Sequence, residues 1–124
     1  MERKVSPAAV VRVYYEILTG GIAAYDPERL RKILAPELHF EGPIAGSRVG
    51  TDPFLKGVSG FIETVQSLRL LHQIYDDGGA AVLYDAKLPH ETVRFAEFFV
   101  IDSGIISSLR LLYDADRYRS AGGR

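Results

Sequence analysis

Two strongly apolar runs separated by Asp102-Ser103-Gly104 dominate the C-terminal third of the chain, from Val93 to Asp114. Phe, Val, Ile and Tyr fill the runs, as β-strands prefer. An Asp-Ser-Gly break between them is a turn signal, so the stretch predicts a long β-hairpin, with a positive φ most readily taken by Gly104. Two charges interrupt it: Glu97 in the first run and Arg110 in the second. A lone carboxylate among Phe95, Phe98, Phe99 and Val100 is costly unless it is paired, protonated or used in chemistry. The hairpin therefore predicts the wall of a ligand pocket. Phe95, Phe99 and Ile101 alternate onto one side of the first strand, with Ala96, Phe98 and Val100 on the other. A sheet with one wet face would alternate apolar and polar residues. Both faces are thus expected to be covered, one by helices and one by a second subunit.

The preceding chain supplies the helices. Ser6-Pro7, Asp26-Pro27 and Thr51-Asp52-Pro53 each combine a capping residue with an early proline. Behind the first, Val10, Val11, Tyr14, Ile17 and Leu18 recur at helical spacing, with Gly20-Gly21 as the end and Ile22–Tyr25 able to extend or restart the helix. Behind the second, Leu30, Ile33 and Leu34 share a face until Pro36 stops the helix. Behind the third, Phe54, Leu55, Val58, Phe61, Ile62 and Val65 form an apolar side, with Gly57 and Gly60 in the interior. Leu38–Glu41 reads as a short strand broken by Gly42-Pro43, and residues 46–50 as a loop. Leu68–Tyr75 and Ala80–Asp85 read as strands joined by Asp76-Asp77-Gly78-Gly79. Helices first and consecutive strands later argue for an α+β fold, with helices on one face of an antiparallel sheet. The whole of residues 1–124 reads as a single domain, with residues from about 115 to 124 expected to fray as a polar, glycine-ended tail.

At 124 residues the chain is long enough for one domain and a real core. A net charge of −1 gives no electrostatic case for nucleic acid or an anionic membrane. There are no cysteines, which removes thiol nucleophiles and thiolate metal sites. No apolar run reaches the ~20 residues that span a bilayer. Met1-Glu2-Arg3-Lys4 and the interrupted apolar stretch after it do not resemble a signal peptide, so a cytoplasmic location is the default expectation. The three histidines, His39, His72 and His90, have no metal-ligand spacing, and no glycine-rich nucleotide motif is present, so neither metal nor cofactor is expected.

In order and spacing, several pieces resemble the nuclear transport factor 2-like superfamily, which includes SnoaL-like and ketosteroid isomerase-like proteins. They are the first helix, the run Asp26–Leu30 leading through Leu34–Pro43, Gly50-Thr51 before the third helix, and the paired strands ending Leu111-Leu112-Tyr113-Asp114. The resemblance covers nearly the whole chain. It implies a cystatin-like conical barrel: three N-terminal helices packed on a strongly bent, mostly antiparallel sheet around an apolar cavity, and frequent dimers through the outer sheet face. It implies a small apolar molecule in the cone, Glu97 at the place of a protonated carboxyl that donates to an oxyanion, and Tyr14 or Tyr15 near a second donor. Where the isomerase pattern has an Asp base this chain has Gly42, with Glu41 adjacent. The stretch Leu109-Arg110-Leu111-Leu112 lacks the Asp that the limonene epoxide hydrolase pattern needs.

Glu97, Tyr14 and Glu41 are thus the candidate catalytic residues. Tyr15, Leu18, Phe40, Phe54, Phe61, Phe95, Phe99, Leu109, Leu111 and Tyr113 are the candidate pocket wall, and His39, His72 and Arg110 its candidate polar additions. Two functions compete. One is a cofactor-independent acid/base enzyme of the isomerase, cyclase or hydrolase class acting on a small apolar cyclic substrate. The other is a non-catalytic ligand-binding or protein-interaction module in which Glu97 is locked by Arg110 or Arg94. A free tyrosine or histidine beside Glu97 favours the first.

Overall fold

A computed structural model describes residues 5–124; the reading of Met1–Lys4 lies outside the described residues. Helix α1 spans Pro7–Thr19, capped by the Ser6 hydroxyl, which accepts from the Ala9 amide. A short 3-10 turn, Ile22–Ala24, follows, and α2 spans Pro27–Arg31 behind the Asp26 carboxylate, which accepts from the Glu28 amide. Strand β1 runs Leu34–Gly42, β2 Gly46–Val49, and α3 Thr51–Thr64. Then come β3 (Ser67–Tyr75), β4 (Gly79–Lys87), β5 (Thr92–Asp102), β6 (Ile105–Leu112) and a last helix, α4 (Ala115–Ser120). The six strands form one open sheet in the order β2-β1-β6-β5-β4-β3. Among the described residues only β1 and β6 run parallel; every other neighbouring pair is antiparallel. This is the expected α+β arrangement, with helices over one face of a mostly antiparallel sheet.

Three local expectations are corrected. Leu34 begins β1 instead of ending α2. Proline cannot continue a helix, but Pro36 fits the strand because the β1–β6 pairing shifts register between Leu34 and His39, where no ladder bond is required of it. Residues 46–49 are a strand, pairing His39 with Val49 through Gly42 with Gly46. All four are exposed, so no apolar alternation marked them. The C-terminal segment does not fray. Asp114 caps α4 by accepting from the Arg117 amide, Tyr118 is buried and Ala121 is 0% exposed. The Ala121 carbonyl accepts from the His90 amide at 2.8 Å, and the Tyr118 hydroxyl donates to the Arg124 carbonyl at 2.8 Å. Asp114 and Tyr118 are enough to turn a polar-looking stretch into a docked helix.

The core lies between α1, α3 and the inner sheet face. Along β5 the pleat turns Val93, Phe95, Glu97, Phe99 and Ile101 inward and Arg94, Phe98 and Val100 outward. The outer face keeps Phe98 49% exposed, with Val100, Ile74 and Leu112 exposed as well. The β5–β6 hairpin closes through Ser103 and Gly104, whose φ values are 53° and 80°. Two consecutive positive φ values are the signature of a type I′ turn, whose twist matches that of the strands.

A side chain at Gly104 would meet both the left-handed backbone and the Val5 side chain at 3.2 Å. A side chain at Gly123 would collide with the Tyr118 ring. Gly104→Val and Gly123→Val should therefore each lower the melting temperature by several degrees, corresponding to roughly 1–3 kcal/mol. A silent Gly123→Val in thermal melts would return the C-terminal segment to the frayed state.

Candidate functional site

Glu97 sits in the middle of β5, between Phe95 and Phe99 on the same face, with Val82 of β4 and Leu111 of β6 beside it across the sheet. It is 1% exposed. Burial of such a carboxyl requires partners, and α1 provides two. The Tyr14 hydroxyl donates to Oε2 and the Tyr15 hydroxyl to Oε1, each at 2.7 Å. Consecutive helical residues point about 100° apart, so the two phenols reach the carboxyl from different sides, their rings edge to face at 5.1 Å. Neither arginine of the hairpin reaches it. Arg94 faces outward and binds Asp85 at 2.8 Å, while Arg110, opposite outward-facing Phe98, pairs with Glu41 at 3.7 Å. The period-two pleat decides this: both arginines occupy outward positions of their strands.

With no cation against it among the described residues, burial governs the acidity of Glu97. Desolvation pushes its pKa from an ordinary 4.5 up to about 7, opposed by the hydrogen bonds from Tyr15 and Tyr14 and by the nearby Tyr84 hydroxyl, which favour the ionised form. Burial and the neighbouring carboxylate push the phenols of Tyr14 and Tyr15 well above their usual range, so they remain donors. The group that changes charge near neutral pH is the carboxyl.

Glu97 and Tyr14 form part of the wall of a cavity of about 240 Å³. Leu18, Phe40, Phe54, Val58, Phe61, Tyr84, Phe95, Leu109, Leu111, Tyr113 and Tyr118 complete most of the lining. Exposed residues among the lining, including Glu41, Ile44, Ala45, Gly57 and Arg124, mark the opening. The interior is almost entirely aromatic and aliphatic. Such a space suits an apolar ring system with one or two polar atoms directed at Tyr14 and Glu97.

Of the residues named from the sequence, Glu97, Tyr14, Leu18, Phe40, Phe54, Phe61, Phe95, Leu109, Leu111 and Tyr113 lie on this wall. Tyr15 and Phe99 are buried but stand behind it, in the core. Glu41 lies at the opening, half exposed and turned to Arg110, because one step along a strand reverses the side chain. His39, His72 and Arg110 are exposed and outside the lining; each occupies a solvent-facing strand position. Tyr84 and Tyr118 were not anticipated. Tyr84 could have been found from the inward alternation Val82, Tyr84, Ala86, whereas Tyr118 sits in the segment read as a tail.

The raised pKa ties stability to pH. Glu97 holds its proton more tightly in the folded than in the unfolded chain. Its contribution is fully present below about pH 4.5 and is lost as pH rises through about 7. The loss is on the order of 3 kcal/mol. Glu97→Gln cannot ionise and should remove this slope. In melts between about pH 5 and pH 8, the wild type should lose stability relative to the variant. A wild type that gains stability over that range would indicate a carboxylate paired to a cation.

The SnoaL-like domain family matches residues 11–109 of the chain. No curated protein matches it. Solved structures share the fold. A protein from Kribbella flavida superposes with a TM-score of 0.82 at 22% identity, over 96% of this chain and 94% of that one. A nuclear transport factor 2-like protein of unknown function from Cytophaga hutchinsonii gives 0.75 at 16% identity, over 96% and 99%. A steroid delta-isomerase from Pseudomonas aeruginosa gives 0.73 at 16% identity, over 93% and 84%. With a family match over most of its length and a conical α+β fold common to these structures, the chain belongs to the SnoaL-like family of the nuclear transport factor 2-like superfamily.

Proposed function

We propose that the cone takes up a small, largely apolar cyclic molecule bearing a carbonyl or hydroxyl oxygen, and that Glu97 and Tyr14 carry out cofactor-independent acid/base chemistry at that oxygen or the carbon beside it. The observation that carries this reading is a cavity-wall carboxyl, 1% exposed, anchored by phenols, with no arginine against it among the described residues. Below neutral pH the protonated Glu97 donates to the ligand oxygen. Tyr14 supplies a second donor, and the pair stabilises negative charge developing on that oxygen as a solvent water molecule takes the proton from the adjacent carbon. In its ionised form Glu97 can instead accept a proton, as a base poised near the ambient pH. The steroid delta-isomerase among the structural relatives is consistent with an isomerase, and the same donors suit a cyclase.

Binding without turnover is the second reading. Gly42 stands where the isomerase pattern has its base, and Glu41 is engaged with Arg110 at the opening. The two readings part on hydrogen exchange. A cyclic ketone such as cyclohexenone, incubated with protein in heavy water, should lose its α-protons faster than in buffer. Glu97→Gln should reduce that rate about a hundredfold, with thermal melts confirming a folded variant. Saturable binding of a naphthol without any exchange would favour the binder, and neither binding nor exchange would contradict both.

The outer sheet face supports a homodimer in the same proposal. Phe98, Val100 and Leu112 lie exposed on neighbouring strands β5 and β6. A stable pair would bury roughly 1,200 Å² or more in total. Light scattering at micromolar concentration should give a dimer, and Phe98→Asp should give a folded monomer. A monomeric wild type would rule the pairing out.

A further inference from the structure

Tyr15 grips Glu97 from the core side of the cavity wall. Its hydroxyl donates to Oε1 at 2.7 Å, as that of Tyr14 does to Oε2. Tyr14 and Glu97 lie on the cavity wall, whereas Tyr15 is buried behind it. Its ring stands edge-on to three others: Tyr14 at 5.1 Å, Tyr84 at 5.5 Å and Phe99 at 6.2 Å. A ring enclosed in that way can place its hydroxyl in few positions.

We infer that Tyr15 is a positioning residue: its phenol fixes Oε1 of Glu97 from the core side, so that Oε2, shared with Tyr14, is the oxygen presented to a ligand. The terminal torsion of a glutamate is soft and samples a broad range, so an unanchored carboxyl could turn either oxygen to the cavity. With Oε1 held, an incoming carbonyl competes for Oε2, on the side of Tyr14. The Tyr14 O–H released from Oε2 can then donate to the same ligand oxygen as the Glu97 carboxyl. The division of labour follows from the sequence, because adjacent helix positions give one phenol to the cavity and one to the core.

The surroundings leave a clear readout. Among the described residues, Tyr14 and Tyr15 of α1 and Tyr84 of β4 are the titratable groups acting on Glu97, and no cation contributes. Its immediate neighbours on the sheet, Val82, Phe95, Phe99 and Leu111, are apolar. Loss of the Tyr15 hydroxyl should therefore register directly in the titration of Glu97.

The inference rests on the acid/base reading above, but its first test needs no ligand. Carboxyl-carbon NMR of labelled glutamate is followed against pH in the full chain, with Glu97→Gln to assign the signal. In Tyr15→Phe, which keeps the ring, the Glu97 midpoint should move upward by about one pH unit or more, the value of one hydrogen bond to a carboxylate. In parallel, Tyr15→Phe should weaken binding of a naphthol severalfold while leaving naphthalene, which has no oxygen, nearly unchanged. An unmoved midpoint would overturn the assignment, as would equal losses for naphthol and naphthalene, since either reduces Tyr15 to packing. A wild type that binds neither compound would count against the proposed function, and the NMR midpoint would still decide the role of Tyr15.

Discussion

A carboxyl placed among phenylalanines at the centre of a sheet sets the terms for the structure around it. Ionised and without partners, Glu97 would cost several kcal/mol; neutral, or held by donors, it can stay. Among the described residues the fold supplies donors, from two adjacent tyrosines on α1, and no cation. That choice ties the first helix to the fifth strand across more than eighty residues of sequence and leaves the acid able to change charge near pH 7. An arginine in the same place would have fixed the carboxylate permanently. The outward positions of Arg94 and Arg110 are therefore as important to the site as the tyrosines, because they keep positive charge off the inner face.

The rest of the cone can be understood as maintaining this environment. Phe40 and Phe54 pack edge to face at one side of the cavity, and Tyr84 stacks on Phe95 at 5.2 Å with Tyr113 and Tyr118 close by. These rings give the carboxyl a largely apolar surrounding and line most of the cavity. The C-terminal helix closes the lining through Tyr118, whose hydroxyl is bound to the Arg124 carbonyl. Gly60 of α3 allows that approach, since a Cβ there would meet the same carbonyl at 3.0 Å. The C-terminal segment is thus part of the site's wall.

Much of this was legible in the chain. Alternation along β5 placed Glu97 inward with Phe95 and Phe99, and helical spacing put Tyr14 on the apolar face of α1. What sequence could not convey was the convergence of neighbours. Tyr14 and Tyr15 diverge along the helix, and only the packing of α1 against β5 brings both to one carboxyl. Pairing of Glu97 with an arginine was a fair reading of composition, yet the pleat sent both arginines outward. β2 escaped notice because backbone pairing alone holds it, with every side chain exposed. Pro36 misled because a proline ends a helix but can also sit in a strand where the register slips. The docked C-terminal helix was hidden by its polar composition, which Tyr118 and Ala121 outweigh by burial.

The central claim is that the cone is an apolar chamber with one proton-bearing polar end formed by Glu97 and Tyr14. A crystal structure grown with a naphthol tests it most directly. The account predicts the rings among Phe54, Phe61 and Phe95, with the hydroxyl oxygen within hydrogen-bonding distance of both Tyr14 and Glu97. A naphthol bound elsewhere, or seated with its oxygen toward the opening and Glu97 uncontacted, would contradict it.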